Sequence, residues 1–129
     1  MSINDKCSKT VPVSSGVPQG SVLGPSLFIY FINDLPKVCE TLLNIFADDT
    51  KVYTHVSSPE DCCKLQTTIN NLTDWSDKWL LRFNTEKCKV LHFGKSNLKH
   101  DYVMKDGDNS NVLDKTVCEN DLGVFMIIN

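Results

Sequence analysis

The sequence predicts an α+β fold in which an antiparallel sheet is backed by helices packed on one face. Three observations carry this. Two strand-like runs, residues 42–47 and 51–56, are separated by only Asp48, Asp49 and Thr50. They are followed by an apolar stripe at helical period, Leu65, Ile69, Leu72, Trp75 and Trp79. The remainder of the chain holds further short strand-like runs divided by turn residues.

Taken in order, residues 9–13 read as a short strand, which Pro12 places at an edge. Gly16-Val17-Pro18-Gln19-Gly20-Ser21 is a loop flanked by glycines. Gly24 followed by Pro25 marks a helix start with proline at the first helical position. Leu27, Phe28, Phe31, Ile32 and Leu35 give that helix a broad apolar face, and Pro36 ends it. The runs at 42–47 and 51–56 lie at hairpin distance.

The clearest helix comes next. Ser58 suits the N-cap and Pro59 the first helical position, while Glu60 and Asp61 complement the positive end of the helix dipole. Its stripe should bury against a sheet, with Trp75 and Trp79 as core anchors. Cys62 and Cys63 face different sides, so one of them should be buried. Residues 89–93 look like a strand, on which His92 alternates with apolar neighbours and should face solvent. Tyr102-Val103-Met104, the Asp106-Gly107 turn signal and Val112-Leu113 suggest a loose hairpin. Residues 122–128 look like a last strand.

Length and composition fit one modest domain. With 129 residues, 41% of them hydrophobic, the chain can bury a core. A net charge of −3 excludes a uniformly basic nucleic-acid binder, so any such role needs a local patch. Residues 81–105 hold 6 basic and 2 acidic groups, the place where a phosphate backbone would run. A solvated lysine-rich loop explains the same charges equally well. The nearly uncharged stretch 10–32 is interrupted by Pro12, Gly16, Pro18, Gly20, Gly24 and Pro25, which argues against a membrane span. The first six residues carry no apolar signal-peptide core, so an intracellular address is expected, nuclear or cytoplasmic. The six cysteines include no C-x-x-C pair and read as reduced, mostly buried thiols. Cys88 and His92 have the one metal-like spacing, and no second pair completes a tetrahedral site.

Two features depart from ordinary loop chemistry. A tight hairpin normally turns on Asn-Gly or Asp-Gly, yet here two adjacent carboxylates, Asp48 and Asp49, follow an apolar run. At roughly 6 Å and an effective dielectric of about 20, their repulsion is on the order of 2–3 kcal/mol before screening. A divalent cation would remove that penalty, and hard oxygen ligands suit magnesium. Taken alone, an acidic turn screened by water is the simpler reading. The second feature is the 16–21 loop. Its glycines permit close approach of a ligand to the backbone, and Gln19 offers donors and acceptors together. Taken alone, it is an ordinary strand-to-helix connection.

Together the two features carry a resemblance. Ser15-Gly16-Val17-Pro18-Gln19-Gly20-Ser21-Val22-Leu23-Gly24-Pro25, with Leu27-Phe28 and Ile32-Asn33-Asp34-Leu35-Pro36, resembles the template- and nucleotide-facing loop and helix of reverse transcriptases encoded by non-LTR retrotransposons. Phe46-Ala47-Asp48-Asp49-Thr50 is similar to their catalytic aspartate turn. Trp75, Trp79, Phe83-Asn84, Lys87-Cys88 and His92-Phe93-Gly94 resemble the helix and lysine-bearing segment that follow. Asp121-Leu122-Gly123-Val124 resembles the strand region that grips the primer.

The resemblance implies an incomplete polymerase palm and an RNA-directed DNA polymerase chemistry acting on an RNA template, a DNA primer and deoxynucleotides. Two Mg2+ ions, about 3.5–4 Å apart, would stabilise the attacking and leaving oxygens. Asp48 would be the main metal ligand and Asp49 its weaker partner. Gly16, Pro18, Gln19, Gly20 and Ser21 would contact the nucleotide or its template partner. Lys87 would neutralise or protonate the leaving pyrophosphate, or simply contact a phosphate. Leu122, Gly123 and Val124 would position the primer.

One departure matters. The family's first catalytic aspartate lies upstream of the loop, where this sequence has only fifteen residues and Asp5 lacks an apolar strand context. Fingers and thumb have no counterpart here. The chain is therefore expected not to polymerise alone, and the hairpin at 45–56 is expected to expose an open edge, with poor solubility. The rival reading is a non-catalytic nucleic-acid-binding or interaction module built on a palm remnant and using the basic stretch at 82–105.

Overall fold

Residues 42–53 fold as expected into a hairpin, and the turn falls one residue earlier than the sequence suggests. The computed structural model describes residues 2–3, 6–7, 12, 16–17, 20–121 and 124–127, with only the backbone of 2–3, 6–7, 119–121 and 124–127. The strand expected at 9–13 lies almost wholly outside the described residues. The chain divides into two units, Met1–Ile32 and Asn33–Asn129.

In the first unit, β1 (Ser2–Ile3) pairs antiparallel with β2 (Lys6–Cys7). α1 (Gly24–Ile32) begins where Gly24-Pro25 predicts. Gly24 is packed so closely that a Cβ there would lie 3.3 Å from Val17 Cγ2. Along α1, Gly24 and Ile32 are buried, while Leu27, Ile29 and Tyr30 are exposed.

The second unit opens with a short 3-10 turn, Leu35–Val38, in which Leu35 is buried. Next come β3 (Leu42–Phe46) and β4 (Asp49–Tyr53), antiparallel in a register that sets Phe46 against Asp49 and Leu42 against Tyr53. The two-residue loop is Ala47-Asp48, with Ala47 at φ 53. Period-2 alternation sorts the hairpin into two faces. Leu43, Ile45, Thr50 and Val52 make the half-buried face, and Leu42, Asn44, Phe46, Asp49 and Tyr53 are exposed on the other. Among the described residues this ribbon has no third strand.

A positive φ costs an alanine about 1–2 kcal/mol, because its Cβ crowds the following carbonyl. Glycine avoids that crowding but loses more chain entropy on folding. Ala47→Gly is therefore expected to stabilise the hairpin by about 0.5–1 kcal/mol, read as a raised urea midpoint with an unchanged m-value.

α2 (Pro59–Trp79) is the scaffold of the unit. Its start is a complete capping box: the Asp61 N–H donates to Ser58 Oγ at 3.3 Å, and Asp61 Oδ2 accepts from the Ser58 N–H at 3.0 Å. Asp61 also accepts from the backbone and hydroxyl of Ser57. These donors favour the charged carboxylate and hold its pKa down at about 2. The far end closes with Leu80 in the left-handed region, the Leu81 N–H reaching Ser76 O at 3.1 Å. A glycine usually fills that position.

Polar side chains of α2 tie it to its neighbours. Gln66 behaves as a substitute strand: its Nε2 donates to Val103 O at 2.7 Å and its Oε1 accepts from the Val103 N–H at 2.9 Å. Asn71 donates to Val38 O at 3.0 Å, and the Trp75 indole donates to Asp34 Oδ1 at 3.0 Å.

The remaining strands pair two by two. β5 (Lys89–Leu91) lies parallel to β8 (Asp114–Thr116), β6 (Val103–Asp106) antiparallel to β7 (Asn109–Val112), and β9 (Cys118–Asp121) antiparallel to β10 (Val124–Ile127). The sheet is thus a set of ribbons, antiparallel except for β5–β8. The core lies where α2 meets β6: Ile69, Tyr102, Met104 and Leu113 are buried together, with Leu65, Phe83, Cys88 and Val90 packed around them.

Two expectations need correction. Trp79 is 40% exposed and Trp75 only 4%. Trp79 is the last residue of the helix, so its ring leans on Trp75 at 6.4 Å, under the Lys78 ammonium, instead of entering the core. His92 does not face solvent as a strand residue would. β5 stops at Leu91, and the imidazole turns inward to stack on Tyr102 at 6.3 Å. Cys62 is buried and Cys63 exposed, as their adjacent helical positions require. Among the described residues, no helix is long and apolar enough to cross a membrane.

Candidate active site

The hairpin between β3 and β4 presents the paired carboxylates. Backbone pairing of Phe46 with Asp49 closes the turn and leaves Asp48 at its second position, with both aspartates exposed. Asp49 shares the outer face of the ribbon with Phe46, which is 64% exposed. Oxygen donors at the tip of a rigid ribbon are chemically suited to a hard cation. Their number is not sufficient. Among the described residues, no group of three or more His, Cys, Asp or Glu side chains could hold a metal ion. Asp48 and Asp49 are thus two exposed carboxylates with no third such side chain grouped beside them among the described residues.

The loop predicted to face the nucleotide is described only at its edges. Gly16 and Gly20 adopt φ 85 and 82, a region where other residues are strained, and a Cβ at either would meet nothing within 4 Å. Backbone conformation, not crowding, calls for glycine at both. Ser21 is half-buried, and its carbonyl accepts from the Gly24 N–H at 3.3 Å as α1 begins. Pro18 and Gln19 lie outside the described residues. So do Leu122 and Gly123, while Val124 opens β10 opposite Asp121.

Lys87 sits at the end of a tight turn, its N–H donating to Asn84 O at 3.0 Å, and is exposed. The next residue, Cys88, packs against the core, and burial raises its thiol pKa. The exposed lysine thus directly precedes a half-buried residue that packs on the core. Among the described residues, no hydrogen bond or ion pair joins Lys87 to Asp48 or Asp49.

The basic stretch gives a mixed picture. Arg82, Lys87, Lys89, Lys95, Lys99 and Lys105 are all exposed. Yet the cleft of about 510 Å³ beside Arg82 and Phe83 is lined by Glu86, Asp106 and Asp114 against a single arginine. An acid-lined cleft repels a phosphate backbone.

The reading from sequence missed Asp34 and Gln66. Asp34 accepts a hydrogen bond from the Trp75 indole N–H instead of capping the turn that follows it. No local sequence signal marks Gln66, whose partner lies 37 residues away.

Comparison with known proteins points the same way as the hairpin. Residues 1–117 match the family described as reverse transcriptase (RNA-dependent DNA polymerase). The chain is 34% identical over 102 residues to the RNA-directed DNA polymerase from mobile element jockey of Drosophila melanogaster, covering 72% of this chain and 11% of that protein. It is 34% identical over 99 residues to the jockey polymerase of Drosophila funebris, covering 69% and 11%. It is 37% identical over 82 residues to a probable RNA-directed DNA polymerase from transposon BS of Drosophila melanogaster, covering 57% and 9%. The chain spans about a tenth of the length of these relatives. No solved structure matches it.

Proposed function

Because the chain belongs to the reverse transcriptase (RNA-dependent DNA polymerase) family, we propose that it supplies the aspartate turn of a palm for RNA-directed DNA synthesis. In this reading Asp48 and Asp49 contribute part of a Mg2+ site, and the remaining ligands come from elsewhere. The observation that carries it is the Phe46–Asp49 hairpin, which holds two carboxylates at an exposed tip. RNA template, DNA primer and deoxynucleotides are the substrates this role implies. By the same reading the 16–21 loop would contact the nucleotide or its template partner, Lys87 a phosphate and the segment at 122–124 the primer, in an intracellular setting.

Two carboxylates without a third ligand should bind a divalent ion weakly and catalyse nothing. Mn2+ added to the isotope-labelled chain is expected to broaden the amide resonances of residues 46–50, with an affinity in the millimolar range, about 4 kcal/mol of binding free energy. Asp48→Asn should abolish the broadening, and primer extension by the chain alone should match the enzyme-free blank. Broadening spread over all exposed acidic residues, or extension that survives Asp48→Asn, would overturn the assignment.

The exposed lysines of the 82–105 stretch favour a second reading, binding of nucleic acid without chemistry. It requires salt-sensitive RNA binding that is indifferent to Asp48→Asn.

A further inference from the structure

The segment between β5 and β6, residues 92–101, is closed by a set of contacts that centres on one imidazole. His92 Nδ1 lies 3.0 Å from Asn97 Oδ1, and the same oxygen accepts from the Lys99 N–H at 2.9 Å. Lys115, carried by β8, reaches across with its ammonium, donating to Lys99 O at 2.7 Å and pairing with Asp101. Behind the loop, the His92 ring stacks on Tyr102, and His100 meets the same ring edge-on at 5.1 Å.

Since Asn97 Oδ1 already accepts a backbone proton, it most simply takes a second from His92 Nδ1–H. That fixes the neutral tautomer and leaves Nε2 as the lone-pair nitrogen, buried with no hydrogen-bond partner. A proton added there would enter a buried position where only the His100 backbone favours it. The ring would also become a cation facing two others, Lys99 of the loop and Lys115 of β8.

We propose that His92, Asn97 and Lys115 form a proton-sensitive clasp that keeps the 94–101 loop closed while His92 is neutral and releases it when the ring is protonated. Every charged or titratable group facing the ring enters the balance. Burial, Lys115 and Lys99 oppose the charged form; the Asn97 contact and the His100 backbone favour it, and burial leads. Asp101, the nearby carboxylate, is held by Lys115. Tyr102, with the Cys62 thiol of α2 beside its hydroxyl, stays protonated far above this range, pushed up to about 12 by burial and then by Cys62.

The direction follows from linkage. The closed form holds the imidazole below its ordinary value of 6.5, so the open form binds the proton more tightly. The contribution of neutral His92 to closure is fully present above pH 6.5 and is lost as pH falls below it, by at most about tenfold in the closed-to-open ratio per pH unit. The loop carries exposed Lys95 and Lys99. The clasp would thus regulate part of the basic surface, a consequence that rests on the function proposed above, whereas the clasp itself does not.

The test therefore uses the chain without metal or nucleic acid. Amide hydrogen exchange, corrected for intrinsic rates, is compared at pH 7.5 and 5.5 for the native chain and for His92→Gln, with the His92 ring followed by NMR titration. Expected are a several-fold loss of protection confined to residues 94–101 at pH 5.5, its absence in His92→Gln, and a ring that titrates below 6.5. A ring titrating at or above 6.5 would overturn the clasp, as would loop protection that ignores pH or a loss that persists in His92→Gln. Should His92→Gln fold poorly, the native ring titration and loop protection decide the question alone.

Discussion

Tyr102→Ala is expected to cost about 3–5 kcal/mol and bring the chain close to unfolding, since domains of this size hold only about 5–15 kcal/mol in total. Tyr102 is 2% exposed and is surrounded by Ile69 of α2, Met104 of β6 and Leu113. Truncation removes most of the ring volume from a place where helix and ribbon meet, and neither can shift inward without breaking the two Gln66 hydrogen bonds to Val103. Cavity and lost burial therefore add. The ring also supports the imidazoles of His92 and His100, so the clasp opens with the core. Tyr102→Phe keeps the stack and loses the hydroxyl alone, at a cost of about 1 kcal/mol. Urea unfolding measures both. A second readout is the rate at which the buried Cys62 thiol reacts with a disulfide reagent, which should rise sharply in Tyr102→Ala and little in Tyr102→Phe.

The effect on the candidate site is uneven. Cys88, which directly follows Lys87, packs around the same cluster. The β3–β4 ribbon keeps its own ladder, and its half-buried face of Leu43, Ile45, Thr50 and Val52 does not belong to that cluster.

What was legible in the sequence is what local rules encode. The Ser58-Pro59-Glu60-Asp61 start of α2, the Gly24-Pro25 start of α1 and the hairpin around Asp48 each follow from side chains acting on backbone a few residues away. The turn at Asp48 came out one residue early, because Ala47 takes the positive φ that the usual Asn-Gly or Asp-Gly signal would have marked. Long-range partners were not legible. Asp114-Lys115-Thr116 carries no apolar alternation, yet it forms a strand because β5 offers it a parallel edge. His92 was misplaced for a related reason: alternation predicts a face only while the strand continues, and β5 ends one residue too soon. At the site, residue types announced the acidic turn and the glycine loop. That no third His, Cys, Asp or Glu side chain groups with Asp48 and Asp49 among the described residues is a fact of three dimensions.

Trp75→Ala is the second large effect, again about 3–5 kcal/mol, and it separates packing from a single hydrogen bond. Trp75 is 4% exposed, and its indole N–H reaches Asp34 Oδ1 at 3.0 Å, joining α2 to the residue that precedes the Leu35–Val38 turn. Trp75→Phe retains much of the apolar volume but deprives Asp34 of that donor. Asp34→Ala removes the acceptor and leaves the indole N–H in place. Hydrogen bonds to charged groups contribute about 1.5–3 kcal/mol, so the double-mutant cycle between Trp75→Phe and Asp34→Ala should show coupling of that order by urea unfolding. A coupling near zero would mean that Trp75 acts through its rings alone. Trp79→Ala is the control, because that ring is 40% exposed and lies at the helix end. It should cost well under half of what Trp75→Ala costs, although the two tryptophans share one stripe in the sequence. The indole–carboxylate bond, more than the apolar period, thus explains why an aspartate stands at position 34: it fixes how the turn carrying the buried Leu35 meets α2 before the chain enters the hairpin that carries Asp48.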